Sequence, residues 1–114
     1  MWREIESVED LKTLLSPSAS DRKYHLILKH STRCSISSMA KGRIEKNTDD
    51  RIDYYMINVL THRNVSDALS EHTGVQHESP QAFLFHDTSL LDVKSHSAIR
   101  PQEFSEQVDQ AIQS

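Results

Sequence analysis

The stretch YHLILKHSTRCSISSMAKGRI, Tyr24 to Ile44, decides the fold because its hydrophobic period changes half-way along. The run Tyr24–Lys29 is rich in aromatic and branched residues and too short for a helix, which predicts a strand. From Cys34 onward the apolar residues recur at helical spacing, which predicts an α-helix. The apolar side of that helix is expected to contain Ile36, Met39, Ala40 and Ile44. The only cysteine of the chain therefore lies where a strand gives way to a helix.

The residues before this unit predict a short amphipathic helix. Ser7 is a good N-terminal capping residue, and the acid Asp10 follows three positions later. The expected apolar face consists of Val8, Leu11, Leu14 and Leu15. Segment 16–21 then has the composition of a turn, which separates this helix from the strand at Tyr24.

The residues after the unit predict a second strand and a second helix. The strand, Tyr54–Val59, follows a polar break at residues 47–50. Asn64 is expected to cap the helix, with Asp67 at its third position and Gly74 as its C-terminal stop. The expected inner face of this helix consists of Val65, Ala68, Leu69 and His72.

The C-terminal third of the chain predicts a β-hairpin followed by a helix. The strands Ala82–Phe85 and Leu91–Val93 are separated by the short polar segment His86–Ser89, which favours an antiparallel pair. Pro101 is suited to the first position of a helix. The apolar face of that helix is expected to consist of Phe104, Val108, Ala111 and Ile112.

The predicted order of elements is α-β-α-β-α-β-β-α, which belongs to the α/β class. Crossover helices make consecutive strands parallel and the hairpin makes the last pair antiparallel, so we expect a four-stranded mixed sheet with helices on both faces. The order is similar to the thioredoxin-like fold with an extra N-terminal helix. Because 114 residues is a common size for one domain, we expect a single domain over residues 1–114.

Charge and composition argue against several classes of protein. Charged residues make up 26% of the chain, the formal net charge is −4, and the two signs are interleaved, so we expect no nucleic-acid partner. No apolar run approaches the roughly 18 residues of a membrane span, and the first six residues do not resemble a signal peptide. A single cysteine forms no intramolecular disulfide. We therefore expect a cytoplasmic protein without a membrane partner.

Cys34 has two interpretations. A free cysteine is often a small buried hydrophobe. However, a helix N-terminus and a nearby cation each lower the pKa of a thiol from its usual value near 8.5, and both are expected at Cys34, the cation being Arg33. Ser37 lies one turn along on the same side, where it is expected to hydrogen-bond the sulfur. These polar neighbours favour a nucleophile over a core residue.

Three segments carry a resemblance to a known family. The chain resembles the monothiol bacilliredoxins of bacillithiol-producing bacteria in Lys29–Ser37, His77–Ala82 and Ser95–Ile99. The expected family motif is Thr-Cys-Pro-Ile-Ser, of which this chain keeps Cys34, Ile36 and Ser37. Arg33 stands where threonine is common and Ser35 where proline is usual. A serine does not pre-order the turn as proline would, but it supplies an N–H and a hydroxyl for a bound disulfide.

The resemblance implies further site residues. Ser79-Pro80 is expected to form a cis peptide bond facing the cysteine, with the backbone of Ser79 available to a substrate. Ser35 and Ile36 are expected to contact the same substrate. By analogy with glutathione-binding relatives of the fold, His96 and Ser97 are expected to hold the malate or glucosamine portion of bacillithiol.

The seven histidines are the other candidates for metal ligands. No two of them show the i, i+4 helical spacing, and none forms a short group with Cys34, as tetrahedral zinc sites favour. We therefore predict no metal site and no tightly bound cofactor.

The expected function is that of a monothiol thiol-disulfide oxidoreductase. The resemblance implies that Cys34 removes bacillithiol from S-bacillithiolated client proteins, with bacillithiol as co-substrate and a separate NADPH-dependent reductase for recycling. Two alternatives remain open from the sequence. In one, Cys34 and an added small thiol hold an iron–sulfur cluster between two chains. In the other, the chain is a redox-sensing or interaction domain with this fold, in which the cysteine is catalytically idle.

Overall fold

A mixed sheet forms the centre of the computed structural model, which describes residues 1–17 and 24–113. The strands are β1 (Arg3–Glu4), β2 (Tyr24–His30), β3 (Ile52–Asn58), β4 (Gln81–His86) and β5 (Ser89–Ser95). The α-helices are α1 (Val8–Leu14), α2 (Ser35–Glu45), α3 (Arg63–Thr73) and α4 (Pro101–Gln113). A single 3₁₀ turn, His96–Ala98, joins β5 to α4. Most of the turn expected at residues 16–21 lies outside the described residues.

The strand order in the sheet is β1-β3-β2-β4-β5. Strands β1, β3 and β2 are mutually parallel where they pair, whereas β4 runs antiparallel to both β2 and β5. The predicted α/β class and the predicted hairpin are therefore confirmed. The connection of the hairpin is shorter than expected, because both strands extend until only Asp87 and Thr88 lie between them.

The sheet has five strands where the sequence predicted four. The additional strand, β1, lies at the edge and pairs with β3 through Arg3 and Glu4. Two residues are too few to show the alternation that identifies a strand. The pairing depends on backbone groups, and it continues with a bond from the amide of Ile5 to the carbonyl of Met56, 2.9 Å.

Several predicted helix boundaries are confirmed. The hydroxyl of Ser7 accepts a hydrogen bond from the amide of Asp10, 3.0 Å, and caps α1. Gly74 ends α3 with a φ of 71°, which glycine adopts without strain. Pro101 is the first residue of α4.

The predicted start of α3 was wrong by two residues. The N-cap is His62, whose carbonyl accepts from the amides of Val65 and Ser66, and Asn64 lies inside the first turn. The chain turns early because the amide of His62 bonds the carbonyl of Asn58 at the end of β3, 2.8 Å. The inner face of α3 also differs from the prediction, since His72 is exposed and Ser66 is buried.

Alternation along β2 divides the apolar interior in two. Leu26 and Leu28 face α2 and α4, where they pack with Ala40 and Phe104. Ile27 faces the other way, toward α1 and α3. All seven residues of β2 are buried, as expected for the central strand of a sheet covered on both faces. The following residue, Ser31, begins the loop that leads to Cys34.

No helix in residues 1–17 and 24–113 is long and apolar enough to cross a membrane.

Candidate functional site

Three of the sequence-predicted segments meet at one end of the sheet, where β2 and β5 end and β4 begins. Lys29, near the end of β2, pairs with Gln81 at the start of β4, and Gln81 pairs with Ser95 at the end of β5. At this end of the sheet the loop to Cys34 follows β2, Ser79-Pro80 precedes β4, and the turn His96–Ala98 follows β5. The topology therefore brings the cysteine loop, the proline segment and the β5–α4 turn to the same end of the molecule.

Cys34 is the N-cap residue of α2 and is half-buried. Its backbone is extended, with φ −110° and ψ 120°, and its carbonyl accepts the first helical bond from the amide of Ser38, 3.1 Å. Its amide donates to the carbonyl of Ser31, 3.2 Å, which closes the loop before the helix. The thiol therefore lies at the end of α2 where helical N–H groups lack intrahelical partners. This is the position that the sequence predicted.

The side chain of Ser37 is used differently from the expected hydrogen bond to sulfur. Ser37 is completely buried, and its hydroxyl accepts from the amide of Ser31, 3.0 Å, and lies 2.7 Å from Nδ1 of His30. Within the described part of the chain its hydrogen bonds are these two. The reason is its place on α2, since Ser37 shares the buried face with Ala40 and Ile44. Ser37 thus ties the first turn of α2 to the end of β2.

His30 is a site residue that the sequence analysis missed. It is 5% exposed, and burial, followed by the nearby charge of Lys41, lowers the pKa of its imidazole. The ring is therefore neutral at pH 7, and its hydrogen bond with Ser37 joins two uncharged groups. The pattern in the sequence that could have indicated this role is a histidine at the end of an apolar strand, seven residues before a serine in the next helix.

The surface beside Cys34 is partly apolar. Ile36 and Met39 are 49% and 64% exposed, so the prediction that they face the core was wrong. Each precedes a buried residue of α2 by one position and points about 100° away from it. Arg33 and Ser35 are exposed as well. The thiol is therefore flanked by a cation and by apolar side chains that solvent can reach.

The peptide bond between Ser79 and Pro80 is cis, as the resemblance implied. Pro80 is buried, and its carbonyl accepts from the amide of His96, 2.9 Å. The hydroxyl of Ser79 is also buried and has no hydrogen-bond partner among residues 1–17 and 24–113. The proline segment is thus attached to the β5–α4 turn.

The β5–α4 turn is attached in turn to α2. Arg43 donates from Nε to the carbonyl of Ile99, 3.1 Å, and from Nη2 to the carbonyl of His96, 3.2 Å. His96 has a φ of 55°, a left-handed conformation that is uncommon outside glycine and in which histidine, asparagine and aspartate are enriched. The side chains of His96 and Ser97 are exposed. Arg43, which the sequence analysis also missed, connects the helix that begins at Cys34 to the turn that holds Pro80.

Side chains suited to metal binding are dispersed over the described residues. In those residues, no three of the histidine, cysteine, aspartate and glutamate side chains are grouped so that they could hold a metal ion.

Comparison with known proteins identifies the family. The model of the monothiol bacilliredoxin family, BrxC, matches residues 3–104. The chain belongs to the monothiol bacilliredoxin family. The match includes Cys34, the proline segment and the β5–α4 turn. Membership of this family, together with the fold, makes the chain a thiol oxidoreductase of the thioredoxin-like class.

Solved structures agree on the fold. A candidate oxidoreductase with a thioredoxin fold is 28% identical to this bacilliredoxin-family chain, with a TM-score of 0.82 over 94% of this chain and 93% of that one. Thioredoxin from Trypanosoma brucei brucei is 10% identical, with a TM-score of 0.75 over 100% and 93%. Thioredoxin from Malassezia sympodialis is 18% identical, with a TM-score of 0.67 over 94% and 87%. The predicted thioredoxin-like fold is confirmed.

Proposed function

We propose that the chain removes bacillithiol from S-bacillithiolated proteins, using Cys34 as the nucleophile. The observation that carries the proposal is the position of the only cysteine, which is the N-cap residue of α2 and lies half-buried at one end of the sheet. The positive end of a helix favours a thiolate over a thiol, and the thiolate is the attacking species. Membership of the monothiol bacilliredoxin family supports bacillithiol as the thiol that is exchanged.

The proposed reaction has two exchange steps. The Cys34 thiolate attacks the bacillithiol sulfur of the client mixed disulfide, so that a Cys34–bacillithiol disulfide forms and the client leaves as a thiolate. The thiolate of a second bacillithiol then attacks the bacillithiol sulfur of this adduct. Cys34 is released as a thiolate and the disulfide of bacillithiol is the product. A separate NADPH-dependent reductase returns that disulfide to two thiols, since this chain has no second cysteine.

The residues around Cys34 have distinct roles in this proposal. Arg33 supplies an exposed positive charge beside the sulfur, and Ser35 and Ile36 contact the incoming disulfide from the first turn of α2. Ser37 acts indirectly, by holding that turn to His30 and Ser31.

The other side of the proposed substrate site belongs to the segments beyond α2. The backbone of Ser79 and the ring of Pro80 dock the disulfide. His96 and Ser97 hold the carboxylate or sugar portion of bacillithiol with their exposed side chains. Their turn lies next to Pro80, because the amide of His96 donates a hydrogen bond to the carbonyl of Pro80 and the carbonyl of His96 accepts one from Arg43.

The test is reduction of a bacillithiolated client by the purified chain in the presence of bacillithiol. We expect multiple turnovers for the unaltered chain and no activity for Cys34→Ala, because the chain has no other thiol. Ser38→Ala is the matched control, since this exposed residue lies on the same helix. Equal activity of Cys34→Ala and the unaltered chain would disprove the proposal.

The same preparation separates the alternatives. An iron–sulfur carrier would show visible absorbance after anaerobic reconstitution with iron, sulfide and bacillithiol, and Cys34→Ala would lose it. An interaction domain with an idle cysteine would show neither absorbance nor exchange activity, and its Cys34 would react slowly with iodoacetamide at neutral pH.

A further inference from the structure

A buried lysine lies next to the segment that carries Pro80. Lys29 is in β2 and is completely buried, with its side chain on the α3 side of the sheet, opposite to α2. Its Nζ lies 2.7 Å from Oγ of Ser70 in α3 and 3.1 Å from Nδ1 of His77. It also lies 5.5 Å from the centre of the Phe83 ring, within the range of a cation–π contact.

These contacts define the state of His77. An ammonium group only donates hydrogen bonds, so Nδ1 of His77 accepts from Lys29. The hydroxyl of Ser66 lies 3.1 Å from the same nitrogen. The ring is therefore neutral, with its proton on Nε2. Burial and then the charge of Lys29 lower the pKa of His77, in agreement with this assignment.

His77 belongs to segment 75–80, which links α3 to β4 and ends at Pro80. The segment has a second attachment, through the buried side chain of Gln81. Its Nε2 donates to the carbonyl of Gln76, 3.1 Å, and its Oε1 accepts from the amide of Glu78, 3.3 Å. Lys29 and Gln81 are register partners on neighbouring strands. The neighbouring side chains of Lys29 and Gln81 therefore together hold residues 76, 77 and 78 by hydrogen bonds.

Lys29 holds its charge at a place where burial disfavours one. Burial lowers its pKa to about 8, because the ammonium loses hydration in the folded chain. The position that Lys29 controls is that of His77, three residues before Pro80.

We propose that Lys29 is a positioning residue for thiol-disulfide exchange, which acts through His77 to fix the segment that presents Ser79 and Pro80 to the disulfide. The inference rests on the proposed role of this segment in docking the substrate. It predicts that loss of the Lys29–His77 hydrogen bond weakens substrate binding and leaves the sulfur of Cys34 unaffected, because Cys34 is attached to the opposite face of the sheet.

The experiment compares Lys29→Met, which removes the ammonium but keeps an unbranched chain, with Lys12→Met on the exposed side of α1. For Lys29→Met we expect KM for a mixed-disulfide peptide to rise about tenfold, the effect of losing one hydrogen bond to a charged group. We expect kcat and the rate of Cys34 alkylation by iodoacetamide to stay within twofold, and the midpoint of urea unfolding not to fall. Lys12→Met should match the unaltered chain in all four measurements.

Two variants of His77 test the same hydrogen bond independently of Lys29. Gln offers an acceptor oxygen and Phe offers none, so we expect His77→Phe to reproduce the KM of Lys29→Met and His77→Gln to restore part of the loss. Amide hydrogen exchange should become faster for residues 76–79 in Lys29→Met and in His77→Phe. An unchanged KM, or unchanged exchange of these amides, would overturn the inference.

The kinetics are measured with a bacillithiolated peptide and with a cysteinylated peptide in parallel. Exchange with the second peptide alone would overturn bacillithiol as the physiological thiol, and the KM comparison would still decide the role of Lys29. Exchange with the first peptide and a normal KM for Lys29→Met would leave the proposed function standing and remove the role of Lys29.

Discussion

Lys29 and His30 are consecutive residues of β2, and their side chains enter opposite faces of the sheet. His30 is neutral and bonds Ser37, seven residues away, in the helix that begins at Cys34. Lys29 is charged and bonds Ser70 and His77, 41 and 48 residues away. We call the hydrogen bond between His30 and Ser37 the neutral clamp, and it holds the helix that follows Cys34. We call the hydrogen bonds of Lys29 with Ser70 and His77 the charged clamp, and they hold the segment that leads to Pro80. In the proposed site, two adjacent polar residues of one buried strand thus contact the two segments on either side of the substrate.

The difference in charge gives the two clamps different energetic consequences. A neutral serine–histidine hydrogen bond stabilises the fold, because leaving either partner unsatisfied in the interior costs free energy. A buried ammonium costs free energy even when it is hydrogen-bonded, because its desolvation is only partly offset. We therefore expect mutations of the neutral clamp to lower both the stability of the fold and the reactivity of Cys34. Mutations of the charged clamp are expected to weaken substrate binding without lowering the stability.

The largest expected effect is the pH dependence of stability that Lys29 produces. Its pKa is lowered from 10.5 to about 8 on folding, so between those values the unfolded chain binds more protons than the folded chain. The free energy of unfolding contributed by this group therefore rises as the pH increases from 8 to 10.5. The full difference is about 3 kcal/mol, at 1.4 kcal/mol per pKa unit.

Urea unfolding of the unaltered chain and of Lys29→Met at pH 7 and pH 10.5 measures this effect. The gain in the free energy of unfolding of the unaltered chain relative to the variant isolates Lys29, because all other ionisable side chains are the same in both proteins. If the free energy of unfolding depends on pH in the same way in both proteins, the amine of Lys29 does not change its pKa on folding. The energetic difference between the neutral and the charged clamp would then not exist.

Removal of the neutral clamp is expected to have the next largest effect. Ser37→Ala leaves the amide of Ser31 and the buried ring of His30 without their partner, which should lower the free energy of unfolding by about 2 kcal/mol. The loop before Cys34 loses its attachment to α2, so we also expect alkylation of Cys34 to slow about tenfold, the equivalent of 1.4 kcal/mol. Ser38→Ala should change the stability by less than about 0.5 kcal/mol. Equal behaviour of the two serine variants would contradict the role given to Ser37.

The sequence predicted the parts of the fold that depend on hydrophobic periodicity. The change of period between Tyr24 and Ile44 correctly placed Cys34 at a helix start, and Ser7, Gly74 and Pro101 correctly marked helix boundaries. Strand β1 was missed because it is held by backbone pairing rather than by a side-chain pattern.

The clamps were missed for a different physical reason. Lys29 and His30 are polar residues of a buried strand, and their hydrogen-bond partners lie far along the chain or in the first turn of α2. A sequence shows neither the partner nor the burial, so the pattern predicts only that Lys29 ends the strand. Arg43 is a similar case, because its acceptors are the carbonyls of His96 and Ile99, more than 50 residues away. Long-range polar contacts of this kind require the fold before they can be found.

The smallest expected effect tests whether the two clamps are independent. They lie on opposite faces of the sheet and share no hydrogen-bond partner, so the stability changes of Ser37→Ala and Lys29→Met should add to within about 0.5 kcal/mol in the double variant. The same variant should combine slow alkylation of Cys34 with a raised KM, each as in the single variant. Coupling of more than about 1 kcal/mol, measured by urea unfolding at pH 7, would mean that β2 transmits strain between its faces. Lys29 and His30 would then form one unit, and the separation of nucleophile from substrate docking would not hold.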